Sequence, residues 1–208
     1  MSNRPQRRSA LVAHELSRLN VDIATLSEVT KSAASRSRAQ VTPFTACTLQ
    51  ADPADKDMFY TELRNPVRNT HADDKAIILV DFNARVGRDS EAWKGVLGKH
   101  GVGNCNDNGR LLLEFCDEMQ LTITNTIFQQ KNRLKTTWMH PRSRHWHLKD
   151  YILVRQCDLR DVLNTRVMPS AECHADHRLV RCKLNVHFKP KPKVGGPPRK
   201  TAGRQPEV

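Results

Sequence analysis

The sequence predicts an α/β fold, and three observations carry that prediction. The apolar run 76–80 is rich in β-branched residues and ends at Asp81, which is typical of a buried strand. Apolar and polar residues alternate over 121–126 and 178–184, the period of a strand with one buried face. Helical periodicity over 9–20 precedes these strands, so we expect helices and sheets to pack in layers.

The first half of the chain is predicted to contain further elements around this strand. The amphipathic helix over 9–20 is followed by an apolar run at 21–26, predicted as a strand that leads to Glu28. Residues 31–38 have no apolar period and are predicted as a loop. A second helix is predicted over 58–63, before the strand that ends at Asp81.

The second half is predicted to be mainly strands after one helix. Polar residues at 104–109 form a turn and introduce a helix over 111–116, with an Asn or Asp as its N-cap. The strands predicted after it cover 121–126, 136–140, 151–154 and 178–184.

Length and composition indicate one domain with basic ends. The chain has 208 residues, and its 38% hydrophobic and 5% aromatic content predicts a modest, aliphatic core. We assign 9–188 to the domain, with a shortened segment at 31–57 and a basic lead at 1–8. Residues 189–208 are predicted to be a disordered basic tail, which would serve as a nuclear address, a DNA-binding arm or simply a solvated tail.

The charge balance predicts a polyanionic partner. The formal net charge is +12, which favours nucleic acid, and DNA is the partner that we expect. The six cysteines include no Cys-x-x-Cys pair, and no apolar stretch is long enough to cross a bilayer. We therefore expect an intracellular protein in its reduced form, located in the nucleus, with no membrane partner.

Polar side chains at the end of the strand 76–80 form the first candidate site. In an extended chain, residues two apart point to the same side, so Asp81 and Asn83 are expected to converge on one ligand. Phe82 between them is expected to pack beneath. Ligands commonly bind at the carboxyl ends of strands in open α/β sheets.

Acidic and imidazole side chains occur at four predicted strand edges. These are Glu28, Asp81, Asp150, and Asp176 with His177. Carboxylates are hard oxygen ligands suited to Mg²⁺, which polarises a scissile phosphate. A His paired with an Asp serves as a base or stabilises developing charge. This set is the inventory of a magnesium-assisted phosphodiesterase.

Six motifs follow one another in the order of a known family. They cover 21–28, 80–87, 106–109, 137–143, 150–154 and 176–180. In these motifs the chain resembles the endonuclease/exonuclease/phosphatase superfamily, which includes deoxyribonuclease I. Within it, the chain resembles the endonucleases of RTE-type LINE retrotransposons and the craniofacial development protein 2-like proteins. The resemblance implies a deoxyribonuclease I-like α/β fold, in which two mostly antiparallel sheets pack face to face with helices outside, here with one sheet incomplete.

The same resemblance implies a metal-dependent site. Glu28 and Asp176 would hold Mg²⁺, with Mn²⁺ as an alternative. Asp81 would orient or deprotonate the attacking water, and Asn83 would lie beside it on the phosphate. A reverse transcriptase would be attached in the parent element.

The remaining implied roles concern the imidazole and the DNA. Asp150 would hydrogen-bond His177 and fix its tautomer. The residues implied to line the DNA groove are Trp138, His140, Arg142 and Arg144.

The chain also departs from the family pattern. It begins after the family's first strand, and 31–50 replace a longer stretch, so we expect a truncated copy. Lys149 stands where an apolar residue is usual and is expected to reach solvent or to strain a buried strand. The primary hypothesis is an Mg²⁺-dependent DNA endonuclease that leaves a 3′-hydroxyl. The alternative is a non-catalytic DNA-binding fragment, and the basic charge disfavours a phosphoinositide or nucleotide phosphatase.

Structural interpretations of the same residues stay open. Asp81 and Asn83 would also suit a turn cap, and Asp150 an ordinary strand-edge charge. Trp138 would also suit the core. The run 173–177 contains Cys and His but lacks the second Cys or His pair expected of a zinc site.

Overall fold

The computed structural model describes residues 23–24, 34–35, 51–72, 74–169 and 177–185. In chain order the elements are β1 (Ile23–Ala24), β2 (Ala34–Ser35), α1 (Pro53–Asn69), β3 (Ile77–Asp81), β4 (Val86–Gly87), β5 (Val102–Cys105), α2 (Asp107–Glu118), β6 (Leu121–Ile123), β7 (Trp138–Met139), β8 (Trp146–His147), β9 (Asp150–Arg155), β10 (Val162–Met168) and β11 (Leu179–Leu184). Over these described ranges, neither helix has the length and apolar character needed to cross a lipid bilayer.

The central sheet has the order β3–β9–β6 and is antiparallel throughout. Its side chains alternate between two faces. Val80 and its cross-strand partner Tyr151 belong to the main hydrophobic core, which the buried faces of α1 and α2 complete. The buried helix residues are Phe59, Tyr60, Leu63 and Val67 of α1, and Leu112, Leu113, Phe115 and Cys116 of α2.

The opposite face of this sheet packs on a second layer. β10 and β11 form an antiparallel pair, and the Thr165 hydroxyl of β10 donates to Thr124 Oγ1, immediately after β6, at 3.0 Å. An isolated bridge between Trp138 and His177 links the β7–β8 pair to the start of β11. In the described residues, two sheets therefore pack face to face, with α1 and α2 on one outer face, and the predicted α/β fold class is confirmed.

Both helices predicted in the described part of the chain are present and longer than predicted. The helix expected over 58–63 is α1, and the helix expected over 111–116 is α2, which begins at Asp107. The cap prediction is confirmed, because the Asn106 side chain accepts from Gly109 N–H at 2.9 Å. Position 109, in the first turn of α2, requires glycine because any Cβ there would collide with the carbonyl of Arg85.

Two element predictions are wrong in detail. The strand expected over 121–126 ends at Ile123, and 124–126 form a 3₁₀ turn, since Thr124 and Asn125 use their side chains on the backbone of β9. Part of the loop expected over 31–38 is β2, which pairs with β1. The strands expected over 136–140, 151–154 and 178–184 are present as β7, β9 and β11, the first much shortened. The helix expected over 9–20 and the tail from 189 lie outside the described residues.

Candidate active site

Two carboxylates face each other across the central sheet. Asp81, the last residue of β3, pairs in register with Asp150, the first residue of β9. Both belong to the set of alternate residues that faces the second layer. The backbone of Asp150 is fixed from two sides, because Asn125 Nδ2 donates to its carbonyl at 3.1 Å and its N–H donates to Thr137 Oγ1 at 3.3 Å.

His177, two residues before β11, completes a triad with these carboxylates. Its Nδ1 lies 2.8 Å from Asp150 Oδ2, and its Nε2 lies 3.8 Å from Asp81 Oδ2. The side chains of Asp81, Asp150 and His177 are only 10%, 16% and 14% exposed. Because a carboxylate can only accept, Nδ1 carries the shared proton and Nε2 is the nitrogen turned toward Asp81.

The electrostatics of the triad disfavour full ionisation of Asp81. Burial, and then the nearby charge of Asp150, raise the pKa of Asp81 from 3.8 to about 6. The N–H of Asn83, the imidazole of His177 and the ammonium of Lys149 act in the opposite direction. A cation or a proton brought to this end of the sheet would therefore be stabilised there.

Asn83 does not point to the same side as Asp81 through an extended strand, so that expectation is wrong. The chain leaves β3 after Asp81, and Asn83 adopts a positive φ of 47°. Its N–H donates to Asp81 Oδ1 at 2.9 Å, which closes a turn around the carboxylate. Phe82, between them, is buried in the core as predicted.

Lys149 was expected to reach solvent or to strain a buried strand, but its side chain turns into this site. It is 9% exposed, and its ammonium lies 3.6 Å from the ring centroid of Trp138. The same ammonium donates to Asn83 Oδ1 at 3.2 Å. Trp138 is half-buried, with its ring centroid 6.3 Å from that of His177. Trp138 thus forms a wall of the triad.

The remaining residues expected to contact DNA lie on the β7–β8 hairpin. His140 Nδ1 accepts from the N–H groups of Arg142 and Ser143, so the ring shapes the loop. Arg142 and Arg144 are exposed at its tip, and Arg144 has a φ of 57°. Beyond the loop, the Arg178 guanidinium lies 3.2 Å from the ring centroid of the exposed Trp146.

Several residues that hold the site were not identified from the sequence. Thr137 Oγ1 accepts from the N–H groups of both Lys149 and Asp150. Asn125 donates from Nδ2 to the carbonyl of Asp150 and accepts at Oδ1 from the N–H of Ile152. The Tyr151 hydroxyl lies 3.2 Å from the carbonyl oxygen of Ala84 and 3.1 Å from that of Leu148. The available signal was the presence of polar residues beside apolar strands, where buried hydroxyls and amides must find partners.

Two curated proteins are similar in sequence to this chain. No family model matches the chain. Over 156 residues, 75% of the chain, it is 37% identical to "Craniofacial development protein 2" of Bos taurus and 36% identical to the protein of that name from Tragulus javanicus. The chain is a relative of craniofacial development protein 2. The expected resemblance to craniofacial development protein 2-like proteins is confirmed.

These matches cover only a part of each relative's sequence. The chain spans about a quarter of the craniofacial development protein 2 sequences, 26% and 27% of their lengths. Among solved structures, it is similar to the "Endonuclease domain of TRAS1, a telomere-specific non-LTR retrotransposon", with 14% identity and a TM-score of 0.46 over 64% of this chain and 52% of that one.

The described residues fit a divalent metal. One ligand atom from each of Asp81, Asp150 and His177 can be chosen so that all three lie within 4.8 Å of one another. Two carboxylates held close together, one with a raised pKa, form a donor set that a cation stabilises. Glu28, Asp176 and the run 173–176 lie outside the described residues, so their metal-binding roles stay predictions.

Proposed function

We propose that the chain is a divalent-metal-dependent endonuclease that hydrolyses one phosphodiester bond of DNA and leaves a 3′-hydroxyl. The observation that carries the proposal is the triad, in which one imidazole lies between two partly buried carboxylates. Relationship to craniofacial development protein 2 and the ordered endonuclease motifs support it.

Asp150 and His177 act as one unit in this proposal. The 2.8 Å hydrogen bond fixes the ring orientation and keeps the proton on Nδ1. Nε2 is then presented to the reacting phosphate, where the imidazole exchanges a proton or stabilises developing negative charge.

Asp81 orients the attacking water and takes its proton. Its Oδ1 is occupied by the Asn83 N–H, while Oδ2 faces the imidazole at 3.8 Å, a separation that leaves these two groups short of a direct hydrogen bond. A pKa of about 6 suits a base at neutral pH, because the group is ionised yet retains proton affinity.

The metal would be Mg²⁺ or Mn²⁺. When bound, it would polarise the scissile phosphate and neutralise charge that develops on it. Glu28 and Asp176 would hold it, as the family resemblance implies.

DNA would approach over the β7–β8 hairpin. Arg142 and Arg144 are exposed at the tip of the loop, and the net charge of +12 attracts a polyanion. The stacked Arg178–Trp146 pair adds a cation and an aromatic surface to the same side of the molecule. In the parent protein, the nick would be made in the nucleus, and its 3′-hydroxyl would serve a reverse transcriptase.

Nicking of supercoiled plasmid tests the proposal. We expect nicking that requires Mg²⁺, disappears in EDTA and is lost in Asp81→Ala and His177→Ala. A folded wild-type chain that nicks no faster than these variants would contradict the enzyme proposal. If that chain still binds DNA, the non-catalytic DNA-binding fragment becomes the better description.

A further inference from the structure

The β10–β11 pair has one face turned away from the central sheet. The Thr165 hydroxyl lies 3.0 Å from Thr124 Oγ1 and 3.3 Å from the sulfur of its cross-strand partner Cys182, so this residue pair points toward the central sheet. Successive residues of a strand point to opposite faces, and the next pair along, Arg166 with Arg181, therefore points away from it. We call the side of β10 and β11 that carries Arg166 and Arg181 the outer face.

The outer face concentrates positive charge. Lys183 lies two residues after Arg181 on β11, opposite Asn164, and so belongs to the same face. Arg166 and Lys183 are exposed, and Arg181 is half-buried. Across the ranges that the structure describes, none of these three cations forms an ion pair with a carboxylate. The outer face therefore has a positive potential that no neighbouring side chain in those ranges compensates.

The Arg166–Arg181 pair is unfavourable in the free chain. Like charges directly opposite each other on two paired strands are destabilising, and here two guanidinium groups occupy such a position. An anion bound to both would replace this repulsion with attraction. Guanidinium groups also bind phosphate in a bidentate geometry, so the pair is suited to phosphate oxygens.

The composition of the two strands indicates which polyanion fits. Neither Val162–Met168 nor Leu179–Leu184 contains an aromatic residue. Surfaces that bind single-stranded nucleic acid combine cations with aromatic side chains on which the bases stack. Contacts to the backbone of a DNA duplex require cations alone, because the bases are already stacked within the helix. The outer face therefore fits duplex DNA better than a single strand.

We infer that the outer face is a second DNA-binding surface, on which Arg166, Arg181 and Lys183 hold the phosphate backbone of a duplex. It is separate from the triad, since Asp81 and Asp150 face the second layer from the central sheet, whereas these cations point away from that sheet. The inference goes beyond the proposed nuclease function and requires no cleavage. A second contact of this kind would keep the chain on DNA while another segment occupies the triad.

Binding of a short DNA duplex, of about 12 base pairs, tests the inference in EDTA, where metal-dependent nicking is prevented. The outer-face variant combines Arg166→Gln with Arg181→Gln. Its matched control combines Arg68→Gln with Lys94→Gln, which removes the same two charges from cations that lie 2.8 Å and 3.7 Å from a carboxylate. At low salt we expect wild type and the control to bind two duplexes per chain, and the outer-face variant to bind one.

The salt dependence gives the expected size of the effect. Each phosphate contact contributes about 0.9 to the slope of log affinity against log salt, so two lost contacts should weaken binding of the second duplex by about 10- to 60-fold at 0.1 M salt. Without DNA, Arg166→Gln should raise the midpoint of urea unfolding, because the like-charged pair is removed. Lys183→Gln, with an expected loss of about eightfold, carries the test if the outer-face variant does not fold.

The outcomes decide the inference independently of the nuclease proposal. A wild-type chain that binds only one duplex would overturn it, as would equal weakening in the outer-face variant and its control. Tighter binding of an RNA duplex of the same sequence to the outer face would overturn its assignment to DNA. Absence of Mg²⁺-dependent nicking would contradict the nuclease proposal and leave the number of bound duplexes unchanged.

Discussion

The two ends of β3 carry similar side chains but opposite electrostatics. At one end, Asp81 belongs to the triad with Asp150 and His177. At the other, Lys75 pairs with Asp161 at 2.8 Å and also with Asp158, beside the apolar residues that separate the two layers. We call Lys75, Asp158 and Asp161 the far-end cluster.

The difference lies in how the charges are balanced. In the far-end cluster, hydrogen bonds to both carboxylates raise the pKa of Lys75, so folding favours the charged ammonium. In the triad, burial and a neighbouring carboxylate raise the pKa of Asp81, so folding disfavours its charge. The far-end cluster is a completed ion-pair network. In the triad, by contrast, the negative charge of Asp81 is destabilised, and a bound cation would stabilise it. Perturbation by burial plus a charge partner is typical of functional sites.

The largest expected effect is on activity. Asp81→Asn should reduce nicking by about 10²- to 10⁴-fold, because an amide cannot accept the proton of water. Asp161→Asn in the far-end cluster is the matched control, and it should retain nicking. Initial rates on supercoiled plasmid measure both, and equal losses in the two variants would contradict the separation of the two ends.

A smaller effect, on stability, is expected at Gly109 of α2, which packs against the loop that follows β3. Gly109→Ala should lower the free energy of unfolding by about 3 kcal/mol, because the new methyl group meets the Arg85 carbonyl in a closed space. Gly103→Ala is the control, since Gly103 has a φ of 71° and no neighbour within 4 Å, and it should cost only about 1–2 kcal/mol of backbone strain. Urea unfolding compares them. Equal losses would mean that the contact with Arg85 yields freely.

Ionisation of Asp81 should also lower the free energy of unfolding. In EDTA at pH 8, Asp81→Asn should raise the free energy of unfolding by up to about 3 kcal/mol, since a pKa displaced from 3.8 to about 6 costs that much when the group ionises. A raised carboxyl pKa favours folding at low pH, and this contribution is lost as pH rises through 6. The gain in the variant should therefore shrink from pH 8 to pH 5. A gain that grows toward pH 5 would contradict the sign.

The smallest effect is expected in the far-end cluster. Lys75→Met should lower the free energy of unfolding by at most about 1 kcal/mol, because a partly exposed ion pair contributes little. Nicking should be unchanged. Unfolding in 0.1 M and 1 M salt gives the check, since the difference from wild type should narrow as salt screens the pair. A variant more stable than wild type would show that the cluster is not a completed network.

Much of this arrangement follows from local sequence, and some of it does not. Continuous apolar runs locate β3 and β9, and the alternating pattern over 178–184 locates β11. The ordered motifs bring Asp81, Asp150 and His177 into one predicted site. The conformation of Asn83 could not be predicted in this way, because its left-handed φ depends on the Asp81 side chain and on Asn108, 25 positions later. The same holds for Lys149, because the direction of its side chain is set by Trp138 in the other layer.

The strand predicted over 121–126 is a second case in which distant contacts override the local pattern. Alternation predicts a strand through Thr126, but the hydroxyl of Thr124 and the amide of Asn125 find partners on β9 and end the pairing at Ile123. Polar side chains compete with backbone ladders in this way, and periodicity alone does not register the competition.

The pairing of Asp81 with Asp150 across β3 and β9 also bears on how the gene can change. Strand side chains alternate, so inserting or deleting one codon within 77–81 would turn the carboxylate toward Phe115 and the helices. Loss or gain of two codons would restore the side but not the partner. Length changes in these two strands should therefore be far rarer among intact copies than changes in the exposed loop at 141–145.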